Sequence, residues 1–331
     1  MMNYEIFKEV VRDKILDYLP SSYEGSRVDI IETNKVNKVR DGLTIHMPDS
    51  NISPTIYVND MYEEYERTED LQGILTKTAE MFEKAMKHSA DINTDISSED
   101  TKEKIVFQLI NTEQNKELLK TVPNREFQDL SIVYRIVMAV DGNGIQSALV
   151  NERLMENMKL TEDELFKLAA ENTKRIFPPT VRSMNEVIRD IFMADGMPEE
   201  IAEMMMEEMP ADQGMWVISN EKGINGATSM LYENGLNELA EKLDSDLYIL
   251  PSSLHEVIAV SANMGDPEEL AKMVAEINME DVKLEERLSN QVYHYDKDLR
   301  KLTLATDTPN KRLDEIVAEQ NLVYETKKQL R

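Results

Sequence analysis

The chain has no cysteine, which excludes disulfide scaffolds and every zinc or iron–sulfur site built on thiolates. Glycine and proline are scarce, with 11 of each in 331 residues, so collagen-like and low-complexity classes fall away. No glycine-rich phosphate loop is present: Gly223-x-x-Gly226 leads into a strand-like run and lacks the Lys-Ser/Thr pair of a P-loop. No stretch reaches the ~18–20 uncharged apolar residues of a membrane span. The first twenty residues carry charges every few positions, unlike a signal peptide. A cytoplasmic protein is the expectation.

Positive charge is also in short supply. Lys and Arg total 37 against 64 Asp and Glu, a formal net charge of −27. Hydrophobic residues make up 41%, enough for packed cores and too many for a disordered acidic chain. The acid is spread along the chain with no acidic tail, so it decorates folded surfaces. Such surfaces repel phosphate backbones and anionic lipid. Neither direct nucleic-acid binding nor membrane binding is expected; the partner to expect is another protein, of basic character.

Apolar spacing outlines the elements. Residues 3–19 read as an amphipathic helix with Ile6, Val10, Ile15 and Leu19 beside Phe7 and Val11, ended by Pro20. β-like runs follow at 27–36, 43–47 and 55–58, with Asp41-Gly42 as the turn between the first two. Asn59 is positioned to cap a helix toward Arg67, and a second helix covers 71–87. The spacing thus predicts an α-β-β-β-α unit over residues 1–90. Residues 91–103, rich in Ser, Thr and Asp, read as a linker.

A central α+β domain is expected over 104–306. Residues 129–140 form its clearest strand, and Asp141-Gly142-Asn143-Gly144 turns it back through 145–150. Thr161-x-x-Glu164 opens a helix. A second strand–turn–strand is expected at 215–219 and 227–232, followed by a helix capped by Asn234. Strands at 246–250 and 257–260, a helix opened by Asp266-Pro267, and a hairpin of 291–295 with 300–305 complete it. A last helix is expected over 307–331. The fold class is α+β: short antiparallel hairpins with packed helices, in ββα-like units.

Few residues invite chemistry. His255 and Glu256 resemble the start of a zinc-peptidase helix, but Ala259 stands where the second His belongs. A composite metal site of His255, His294 and Asp296 has chemically sensible ligands; the plainer reading is a turn at Pro251-Ser252-Ser253 with structural histidines. Asp141-x-Asn143 with Glu152 matches part of a calcium loop, but Ile145 and Gln146 break it. Asp60, Glu63, Glu64 and Glu66 read as helix-start acids. The most unusual composition is the methionine-rich stretch. Met197, Ile201, Met204, Met205 and Met209 recur at near-helical spacing among acids. The plainer reading is a helix packed on the sheet, with methionine filling irregular space; the functional one is an adaptable docking helix for a basic, apolar partner.

Several segments carry a family likeness: Val58-Asn59-Asp60-Met61-Tyr62, residues 118–123, Glu171-Asn172-Thr173 with Phe177-Pro178-Pro179, LYILPSSLHE at 247–256 and EERLSNQVYHYD at 285–296. Through them the chain resembles domain-of-unknown-function family 5688 over nearly its whole length. The resemblance implies a cytoplasmic bacterial protein and one continuous family unit, and it transfers no catalytic residue and no cofactor. The reading is therefore a non-enzymatic protein-interaction or accessory factor. Its alternatives are a metal-dependent enzyme using His255 and His294, and an acidic mimic of DNA.

Overall fold

The computed structural model describes residues 2–47, 54–90, 98–141, 144–208, 214–251 and 253–306. The architecture is α+β, with every strand pair antiparallel. The described residues fall into two compact units, one within Met1–Asp95 and one within Ile96–Asn321. No helix among them is long and apolar enough to cross a membrane. The expected helix at 307–331 lies outside the described residues, as does 91–97 of the expected linker.

The first unit opens with the helix Tyr4–Lys14, capped by the Asn3 side chain on the N–H of Ile6. Phe7, Val11 and Ile15 face the core at intervals of four, while Ile6 points out at 48% exposure, so the buried stripe is narrower than the sequence suggests. Strands β1 (Arg27–Lys35), β2 (Lys38–His46) and β3 (Thr55–Tyr57) form a sheet in that order. The turn between β1 and β2 is not at Asp41-Gly42. It falls at Val36-Asn37, where Asn37 takes a φ of 57° and Lys35 pairs Lys38. Gly42 lies within β2 because the sheet is tight there: a Cβ would meet Thr55 Cγ2 at 2.6 Å. Asn59 does not cap the next helix, Val58–Thr68; Tyr57 occupies the cap position and Asn59 Oδ1 accepts the N–H of Asp41. That helix and Leu71–Ala90 close the core with Met61, Tyr65, Leu75 and Phe82.

The second unit holds two sheets. Strands β4 (Ile105–Asn111), β5 (Asn124–Phe127), β6 (Leu130–Asp141) and β7 (Gly144–Leu149) form the smaller one, with β6 at its centre. The six-stranded sheet holds β8 (Pro179–Ser183), β9 (Trp216–Asn220), β10 (Leu247–Leu250), β11 (Val257–Ser261), β12 (Tyr293–Asp296) and β13 (Lys301–Leu304), in the order β13-β12-β10-β11-β9-β8. The expected return strand at 227–232 is absent. Gly226–Leu231 is a 3-10 helix instead, and β9 pairs with β8 and β11. Asn234 lies inside the helix Glu233–Leu243, not at its cap. Asp266 does cap Pro267–Glu280, its Oδ1 accepting from Glu268 and Glu269 N–H. That helix packs Ala271 and Val274 on Leu250 and Val292.

Two helices start with reciprocal capping boxes. Thr161 and Glu164 open Glu162–Ile176, and Ser183 and Glu186 open Met184–Ala194. In each, the carboxylate accepts the cap residue's N–H at 2.8 Å, which holds both carboxyls below their ordinary value of 4.5. A depressed carboxyl contributes stability that is present above its unfolded value and is lost as pH falls through its folded one. The double variant Glu164→Gln/Glu186→Gln is expected to keep neutral-pH helicity and to flatten the helix loss seen below about pH 4.5 by circular dichroism. An unchanged acid limb would show that these boxes do not carry it.

Candidate functional site

The two most distinctive sequence segments are neighbours in the fold. The Ser289 N–H donates to the Pro251 carbonyl at 2.9 Å and the Leu254 N–H to the Glu286 carbonyl at 2.8 Å. Ser253 and Arg287 form an isolated antiparallel bridge, and β10 pairs β12 with Tyr248 opposite His294. His255 donates its N–H to Ser253 Oγ at 3.0 Å, and its carbonyl accepts from Ser219 Oγ at 2.7 Å. Its Nδ1 accepts the Asn225 N–H at 3.4 Å, which leaves the proton of a neutral ring on Nε2. Ser253 is thus a backbone-capping hydroxyl in a turn.

His294 and Asp296 have other tasks. His294 Nε2 sits 3.0 Å from Asp246 Oδ2, with both side chains about a third exposed. Asp246 Oδ1 accepts the Lys297 N–H. Asp296 Oδ1 accepts the N–H groups of Asp298 and Leu299, closing the turn from β12 to β13. The structure does not gather His255, His294 and Asp296 into one ligand set: among the described residues no group of three His, Asp or Glu is placed to hold a metal ion. The acids after β3 are likewise dispersed, Asp60 on Arg40 and Glu64 on Lys77. Gly142 and Asn143 of the partial calcium loop lie outside the described residues.

Two polar clusters escaped the sequence reading. Asp129 accepts hydrogen bonds from Ser289 Oγ at 2.6 Å and from the Tyr293 hydroxyl. Burial, then the Asp129 charge, push the Tyr293 phenol far above its ordinary range. Around it, Asn111 Nδ2 donates to the Leu288 carbonyl, and Asn278 Nδ2 donates to the Ser289 carbonyl and Asn290 Oδ1. In the second cluster, Glu162 accepts from Arg125 through both carboxylate oxygens and from the Tyr134 hydroxyl. Arg125 also lies 4.0 Å over the Phe166 ring. Apolar periodicity places Asn, Asp and Gln outside a core, so it is blind to such clusters. The one usable signal was the amide run Ser289-Asn290-Gln291 between two apolar residues.

The methionine-rich stretch forms two helices, Met184–Ala194 and Glu199–Glu208, packed on each other. The turn between them uses Gly196 at a φ of 86°, where glycine has no Cβ penalty. Met184–Ala194 is amphipathic and packs on β8 and β9, yet has no fully buried residue. Ile191, Met193, Ile201, Met204 and Met205 are all exposed, Met204 at 64%. Met197 is half-buried and Ala202 is buried. Met209 lies outside the described residues. Arg189 is the one cation in residues 184–208, against eight acids.

The profile of a family of unknown function (DUF5688) matches residues 4–297. No curated protein and no solved structure matches the chain.

Proposed function

We propose that this chain, which belongs to the family of unknown function DUF5688, acts by holding another protein, and that the helix pair Met184–Ala194 and Glu199–Glu208 takes a basic, amphipathic helical segment of it. One observation carries the reading: Ile191, Met193, Ile201, Met204 and Met205 are exposed together on two short helices. Leaving such side chains in water forgoes roughly 1.5–3 kcal/mol for each one a partner would bury. Methionine suits the task because its unbranched, polarisable side chain adapts to irregular partners. The surrounding acids favour cations at the rim and speed encounter more than they add affinity.

The test uses a fluorescent amphipathic peptide of leucine and lysine and the full chain. Fluorescence anisotropy is expected to show binding that weakens at least about tenfold in Ile201→Glu and Met204→Glu. Both side chains are exposed, so the unfolding free energy from urea titration is expected to stay within about 0.5 kcal/mol of the parent. Equal binding by parent and variants would falsify the assignment of this surface.

A further inference from the structure

A second surface carries the opposite sign. In the sheet of the first unit, Val28 and Ile30 of β1 and Leu43 and Ile45 of β2 face the core. The two-residue period of a strand therefore turns Arg27, Asp29, Ile31, Thr33 and Lys35 of β1 outward. The register places His46, Thr44, Gly42, Arg40 and Lys38 of β2 opposite them in turn. On a chain of net charge −27, this face presents Arg27, Lys35, Lys38 and Arg40; Arg27 pairs with Asp29 beside it and Arg40 with Asp60 of the following helix, so four cations stand against two acids and the face stays net positive. Lys35 stands directly across from Lys38. Lys35 and Arg40 also sit over the ring of Tyr57 on β3, at 5.4 and 5.1 Å. The face is open along β1, where Arg27, Ile31 and Lys35 are exposed, and covered over Gly42 and Thr44 of β2.

The backbone offers a second, independent feature. Among the described residues β1 pairs only with β2 and so ends its sheet. Nine residues of strand leave a row of N–H and C=O groups along the outer edge. Lysines on an end strand discourage pairing with like-charged strands, and the same cations attract a strand of opposite charge.

We propose that β1 accepts an extended acidic peptide as a fourth strand, with acids at alternate positions beside Arg27 and Lys35. Main-chain hydrogen bonds would supply affinity and the charged row would fix sign and register. The observations favour a peptide over a nucleic acid, because only a peptide brings main-chain N–H and C=O groups to pair the open edge of β1. The strand is about 30 Å long, so a short segment spans it.

The experiment measures anisotropy of a labelled peptide of alternating Glu and Thr with the full chain. Comparison probes are the matching Lys–Thr peptide, a thymidine oligonucleotide of equal length, and the Glu–Thr peptide N-methylated at every second amide on its pairing edge. The Glu–Thr peptide is expected to bind, to weaken with added salt, and to lose at least about tenfold in affinity with Arg27→Glu/Lys35→Glu. N-methylation is expected to remove binding as well. Both substituted side chains are exposed, and an unchanged circular dichroism spectrum confirms the fold. Four results each overturn the proposal: no binding of the Glu–Thr peptide, equal binding by the double variant, tighter binding of the oligonucleotide, or indifference to N-methylation. The second would remove the charged face and the last would remove strand addition.

Discussion

Gly226→Ala is expected to destabilise the second unit by about 3 kcal/mol. A Cβ at Gly226 would lie 2.1 Å from Ser219 Oγ, 2.3 Å from the His255 carbonyl oxygen and 3.0 Å from the Asn220 nitrogen. Two of those three atoms are backbone, and the third is tied to one of them by the Ser219–His255 hydrogen bond. Nothing there can swing aside. Relief requires the 3-10 helix Gly226–Leu231 to part from β9 and from the turn leading into β11. The single tryptophan, Trp216 on β9, is buried in the same sheet, so its fluorescence follows urea unfolding of this region directly. Gly223→Ala is the control: its φ is +63° and no atom lies within 4 Å of an added Cβ, so the cost is backbone strain of roughly 1–2 kcal/mol. Adding Ser219→Ala is not expected to rescue Gly226→Ala, because the carbonyl contact remains. A Gly226→Ala protein no less stable than the Gly223→Ala control would overturn this account of the packing.

The second large effect is expected from Asp129→Ala. Asp129 is the shared acceptor for Ser289 Oγ and the Tyr293 hydroxyl, and both Ser289 and Tyr293 are fully buried. Truncation leaves two fully buried donors without their acceptor, at about 1–3 kcal/mol each. A total loss of about 2–4 kcal/mol is expected in urea unfolding. Tyr293→Phe removes one donor and leaves Asp129 bonded to Ser289, so it is expected to cost about 1–2 kcal/mol. The two changes act on one hydrogen bond, so the double variant is expected to fall short of the sum by 1 kcal/mol or more, as roughly estimated for contacting groups. Additive losses would mean that Asp129 and Tyr293 stabilise the fold independently.

What could be read in the sequence followed the kind of signal each element carries. A cap with an acid three residues on gave the helix start at Thr161 with Glu164, and a cap before proline gave the one at Asp266; the same signal at Ser183 with Glu186 went unread. The strand of β6 was legible because its apolar run is long. Turn residues misled where tertiary packing overrode local preference. Asp41-Gly42 has the composition of a hairpin turn, but Gly42 is there to let β3 approach, and the chain turns at Asn37. Residues 227–232 have a strand's look, but Gly226 sits too close to β9 and the 3-10 helix takes that place. The exposed methionines of Met184–Ala194 and Glu199–Glu208 were legible as composition, since methionine at helical spacing stands out. The Asp129 and Glu162 clusters were not, because their partners come from segments 160 and 28 residues away, and no local pattern encodes such meetings.

The strand order of the larger sheet has a consequence for how the protein is made. Its middle is the β10–β11 hairpin, with β12 and β13 laid on one flank in chain order and β9 and β8 on the other in reverse. During synthesis β8 and β9 leave the ribosome first, and the strand that covers them is β11. At about 5–20 residues per second, the stretch between β9 and β11 takes roughly 2–8 s to translate. Through that interval the nascent chain carries a two-stranded ribbon with one flank bare. A ribosome stall or a stop codon between residues 220 and 257 makes that state permanent, and a bare strand edge of this kind is open to pairing with another chain.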